Sequence, residues 1–131
     1  MSQNIFVRSL KITIAFTFLM TALTAYASPS NKWRIQFSGK ANSDGSIVIT
    51  LTPIGGEPIT AEVAVENNTG ENGVAKTVVK GLKAQLSRDL FHIERDDGED
   101  VLIKKRHGTA NFDLEIVSNS VDGVRINPEH E

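Results

Sequence analysis

From Trp33 to Ile126 the apolar residues fall at every second position in run after run, and only one stretch keeps a different period. Alternation of this kind gives each strand one apolar face, and that face must be covered by something. Trp33, Ile35 and Phe37 make the first such face, Ile47, Ile49 and Leu51 the second, and Ile59, Ala61, Val63 and Val65 the third. Asn42-Ser43-Asp44-Gly45 and the cluster from Pro53 to Pro58 separate them with turn-forming residues. A three-stranded meander, its first two strands paired as a hairpin, is the simplest product.

The exception begins after Asn67-Asn68-Thr69-Gly70. Val74, Ala75, Val78, Val79, Leu82 and Leu86 share one side of a helical wheel. Thr69 is the expected N-cap, and Glu71 sits in the first turn, where the helix dipole favours negative charge. Gly81 interrupts the helix and should cost ~1 kcal/mol relative to alanine, so this helix depends on docking its apolar side. Alternation then returns. Phe91 and Ile93 lead through Asp97-Gly98 into Val101-Leu102-Ile103, followed by Phe112, Leu114 and Ile116 and a short run with Val121, Val124 and Ile126. The expected fold is α+β, with one amphipathic helix packed on a mainly antiparallel sheet of about seven short strands. A doubly wound fold is disfavoured because each parallel crossover needs its own helix.

Ahead of this domain, Arg8 and Lys11 precede an apolar run from Ile12 that closes with Ala25-Tyr26-Ala27. That order is the signature of a cleaved secretory signal, and the run is shorter than the ~20 apolar residues of a membrane span. Residues 1–27 are therefore expected to be a signal peptide, 28–32 an extended leader, 33–126 a single domain and 127–131 a flexible tail. The mature protein would have no membrane span. The destination is the bacterial periplasm or the extracellular space, and the Asn67-Asn68-Thr69 glycosylation pattern would matter only in a eukaryotic pathway. There is no cysteine, which removes disulfides, thiolate metal sites and lipid attachment. Losing Arg8 and Lys11 with the signal leaves all 16 acids in place and makes a formal charge of −2 more negative. That balance argues against nucleic acid as a partner.

Few side chains suggest chemistry. Asp96, Asp97, Glu99 and Asp100 resemble a calcium loop only in charge, because the EF-hand spacing is missing, and they are expected to form a solvated hairpin tip. His92, His107 and His130 lack paired ligand spacing, so no metal and no cofactor is expected. No nucleophile elbow is present, and Ser87, Asp89 and His92 are close in sequence without forming a recognisable triad. The remaining candidates for contact with an anion or a partner are Lys76, Lys80 and Lys83 on the wet side of the helix, and Lys104 and Arg106 in the run 104–107. Alternation would put Lys104 and Arg106 on one face and Lys105 on the other, and lysines on a sheet edge also prevent unwanted pairing.

The leading expectation is an exported, non-catalytic binding or surface-interaction module whose partner is an unidentified protein or envelope component. Val48, Thr50, Lys104, Arg106 and Val117 would supply its contact surface. The alternative is a periplasmic protein binding a small ligand or anion through the basic residues. A small hydrolase or metal-dependent enzyme comes last, for want of paired titratable groups. The address is directly testable: intact-mass measurement of protein recovered from the cell envelope should give a chain beginning at Ser28. A mass that includes residues 1–27 would contradict it.

Overall fold

The computed structural model describes residues 29–131, so the signal reading and Ser28 lie outside the described residues. Seven strands and one helix follow in the order β1 (Lys32–Ser38), β2 (Gly45–Pro53), β3 (Ile59–Val65), α1 (Glu71–Gln85), β4 (Phe91–Asp96), β5 (Asp100–Lys105), β6 (Phe112–Asn119) and β7 (Arg125–His130). The α+β architecture with one helix and seven antiparallel strands is as expected. The strands form two sheets, β4-β5-β1-β7 and β3-β2-β6.

Dividing them this way overturns the meander. β1 pairs with β5 and β7, whereas β2 pairs with β3 and β6. The connection between β1 and β2 crosses from one sheet to the other because it is held to two distant loops. Ala41 donates its N–H to Thr69 O at 2.8 Å and accepts from Asn68 N at 2.8 Å, and Asn42 N reaches Asp122 O at 2.8 Å. Alternation reports which face is apolar and carries no information about which strand lies alongside.

The tail is also ordered differently from expectation. Asn127, Pro128, Glu129 and His130 pair along β1, opposite Gln36, Ile35, Arg34 and Trp33. Low apolarity made this segment look frayed, but it is an edge strand, where proline is tolerated. The His130 ring meets Trp33 edge-on at 5.4 Å, and Glu131 N donates to Lys32 O at 3.0 Å.

A single core fills the space between the sheets. Ile35, Phe37, Ile47, Ile49, Leu51, Val101, Ile103 and Phe112 are all fully buried. The Trp33 indole joins the sheets across this core by donating to Phe112 O at 2.9 Å. β5 is central, and Leu102 on its outward side is buried as well, opposite Arg34 on β1 and Glu94 on β4.

α1 touches β3 of one sheet and β4, β1 and β5 of the other, closing the side on which the sheets part. Its N-cap is Gly70 and not Thr69: Gly70 makes no side-chain cap bond, and Thr69 Oγ1 donates to Glu66 O at 2.7 Å instead. At the other end Gln85 covers the free edge of β3. Its amide donates to Glu62 O at 2.8 Å and accepts from Glu62 N at 3.1 Å, taking up backbone groups that could otherwise recruit another strand.

Gly81 has a packing reason. A Cβ there would stand 2.8 Å from Val63 Cγ2, and a β-branched valine has little freedom to swing aside. Gly81→Ala should therefore destabilise the protein by about 1–3 kcal/mol, despite alanine's higher helix propensity. A double-mutant cycle with Val63→Ala, followed by urea denaturation, should return most of that loss, because the second change makes room for the methyl group. Strict additivity would contradict this account.

Candidate functional site

The end of α1 and the start of β4 form one wall of a cleft. Leu86 terminates the helix, its N–H still bonded to Leu82 O at 2.8 Å. Ser87 then organises a tight turn: its carbonyl accepts from Leu90 N at 3.2 Å and Phe91 N at 3.1 Å, and its Oγ accepts from Asp89 N at 3.2 Å. With Ser87 Oγ bonded to its own turn and His92 Nε2 bonded to Glu94, the three-residue proximity seen in sequence is not a catalytic triad.

The facing wall is the residue that follows β5. Arg106 N donates to Leu90 O at 2.8 Å, and its Nε donates to Arg88 O at 3.0 Å. These two bonds fix the stem of the guanidinium. Its terminal nitrogens make no hydrogen bond among the described residues. Lys83, in the last turn of α1, completes the rim.

The cleft measures about 230 Å³ and is lined by Lys83, Leu86, Arg88, Phe91, His92, Ile93 and Arg106. Three cations and an imidazole thus surround a partly apolar floor, and no carboxylate among the described residues lines it. None of Lys83, Arg88 and Arg106 forms an ion pair among the described residues.

A second basic cleft, of about 490 Å³, is lined by Asn31, Lys32, Lys104, Lys105 and His107. Here the cations already have partners. Lys104 Nζ is 3.0 Å from Glu94 Oε1, Lys32 Nζ is 2.9 Å from Glu131 Oε1, and Lys105 Nζ donates to Thr109 O at 2.9 Å.

Of the residues singled out from sequence, Lys83 and Arg106 converge in the first cleft, and Lys104 lines the second. Lys76 and Lys80 are exposed further up the helix and line neither. Lys104 and Arg106 do not share a face, because β5 ends at Lys105 and alternation stops there. Val48, Thr50 and Val117 belong to the β3-β2-β6 sheet or its edge, so they cannot form one surface with Lys104 and Arg106. Arg88 was invisible from sequence because it sits in a turn with no periodicity. His92 was legible as a surface residue and is held by Glu94, Nε2 to Oε2 at 3.0 Å.

The acidic turn is a structural device. On the outer face Arg34 reaches Asp96 at 3.0 Å, Asp100 at 2.7 Å and the Glu131 carboxylate, fastening β4, β5 and the end of β7 to β1. Asp100 is only 7 % exposed, and its Oδ1 has no hydrogen-bond partner. No group of three potential ligands able to hold a metal ion occurs among the described residues.

This network, and the separate pairing of Glu94 with His92 and Lys104, make stability depend on acid. Hydrogen bonds from Arg34, then from Lys32, hold the Glu131 carboxyl below the ordinary carboxylate range. His92, then Lys104, do the same for Glu94. A depressed folded pKa contributes stability that is complete above the ordinary carboxylate pKa and is lost as pH falls through the depressed value. Thermal melting between pH 7 and pH 2 should accordingly show a smaller acid-induced drop for Glu131→Gln and Glu94→Gln than for the parent. Parallel curves would contradict the assignment. No family model matches the chain, and no curated protein matches it.

Proposed function

We propose that the protein is an exported, non-catalytic binding module that holds an anionic group in the cleft between α1 and the end of β5. The observation that carries this reading is the convergence of Lys83, Arg88 and Arg106 on a cleft that no described carboxylate lines. Cations in an ordinary protein surface are interspersed with acids. Here Arg106 is oriented by two backbone carbonyls with its terminal nitrogens unused. A fixed guanidinium fork loses less freedom on binding than a free one and suits a carboxylate, phosphate or sulfate oxygen pair.

The non-catalytic half of the proposal rests on the residue types. Among the described residues lining the cleft there is no hydroxyl or carboxylate, and His92 is its one imidazole. His92 is engaged by Glu94, and no nucleophile lines the cleft for that pair to activate. Leu86, Phe91 and Ile93 lower the local dielectric and strengthen the field of the cations.

Titration of the purified protein with sodium sulfate at low ionic strength, followed by amide NMR shifts, should perturb resonances centred on Lys83, Arg88, His92 and Arg106. Affinity should be on the order of millimolar for so small an ion. Arg88→Gln, whose side chain makes no hydrogen bond among the described residues, should weaken binding by about fivefold or more without lowering the melting temperature. Shifts scattered over the whole surface, or reproduced by chloride at matched ionic strength, would overturn the proposal.

A further inference from the structure

We infer that the ligand is a linear anionic polysaccharide, its chain running from the first cleft across the end of β5 into the second. This inference rests on the anion-binding reading of the first cleft and extends it to a polymer. The two clefts share a wall. Residues 104–107 line them in turn, Lys104, Lys105 and His107 the second and Arg106 the first. The strand register closes the distance between them: His92, from the first cleft, pairs directly with Lys104, which in turn pairs with Lys32.

β5 and β1 are interior strands, so edge protection does not account for the lysines they carry here. Of the 14 Lys and Arg in the chain, Lys32, Lys83, Arg88, Lys104, Lys105 and Arg106 line these two clefts, although the net charge of the whole is negative. The ion pairs in the second cleft do not disqualify it. Lys32 with Glu131 and Lys104 with Glu94 are solvent-accessible, at 33 and 30 % and at 40 and 40 % side-chain exposure. Accessible pairs of this kind contribute little, so a polyanion can compete for both lysines.

The surface also discriminates among polyanions. Single-stranded nucleic acid is gripped by exposed aromatic rings on which bases stack, whereas Trp33, Phe91 and Phe112 are buried. A lipid surface calls for a sizeable apolar face, and Ile54 and Val117 are the exposed large hydrophobic residues among those described. A sugar chain needs neither. Repeated anionic groups would meet the cations, and ring hydroxyls would find polar partners such as the Asn31 amide.

The test compares a heparin-derived disaccharide with a decasaccharide by calorimetry on the purified protein. The decasaccharide should bind at least about tenfold more tightly, since its second contact is intramolecular, and its affinity should fall more steeply with added salt. A Lys104→Gln/Lys105→Gln variant should reduce the decasaccharide to disaccharide affinity while leaving the sulfate-induced shifts at Arg88 and Arg106 unchanged. Should that variant misfold, the length comparison and the NMR footprint on the parent decide the matter. Equal affinity for both lengths, with sulfate still bound at Arg88, overturns this inference alone. Tighter binding of phosphatidylglycerol vesicles or single-stranded DNA than of the decasaccharide overturns it as well. If sulfate, disaccharide and decasaccharide all fail to bind, the anion-binding reading falls with it.

Discussion

The depth at which α1 settles against β3 sets how the open side of the two sheets is closed and where the cleft wall stands. Two sheets, each apolar on one face, cover one another, yet the side between β3 and β4 would remain open without a third element. α1 fills it, and Gly81 permits the close approach to Val63. The same contact fixes where the helix ends. Lys83, Leu86 and the turn that carries Arg88 lie within two turns of Gly81, so a helix seated further out would carry the cleft wall away from Arg106. Packing and the position of the cleft wall are therefore joined through one absent methyl group.

Charge changes sign along β5, from Asp100 at its start to Lys104 and Lys105 at its end. At one end Asp44 accepts from Asn67 N, Glu71 approaches Gly39 N, and Asp96 and Asp100 gather around Arg34. At the other end lie the last turn of α1, the start of β4 and the end of β5, which carry the basic clefts. α1 runs from the acidic end to the basic end, with Glu71 in its first turn and Lys83 in its last, so its dipole is satisfied by both. The helix and the charge pattern thus reinforce each other.

Sequence periodicity was sufficient for the elements and insufficient for their neighbours. Every inward residue of β1, β2 and β3 could be named from alternation, and the helix from its wheel, because burial leaves a period in the chain. Sheet membership leaves none. The crossing from β1 to β2 is decided by bonds from Ala41 and Asn42 to Thr69 and Asp122, residues far away in sequence. β7 was missed for a related reason. Its place is secured by backbone pairing, by Trp33 against His130 and by the ion pairs of Glu131, none of which needs an apolar pattern. In the site, Lys83 and Arg106 were visible as basic residues, but Arg88 required the geometry of the Ser87 turn, and Lys76 and Lys80 were drawn in by a helical face that does not reach the cleft.

An acidic protein with a basic end also has a physical advantage over a uniformly basic one. Uniform positive charge attracts every anionic surface with little regard to orientation, and binding then becomes a matter of total charge. For the proposed polyanion, attraction would be confined to the basic clefts, so an approaching chain would experience a torque as well as a force. In the proposed complex, productive encounters would be those in which the end carrying Arg88, Arg106 and Lys105 leads. Selectivity then arises from arrangement, since like-charge contact penalises the wrong orientation as surely as opposite charge rewards the right one.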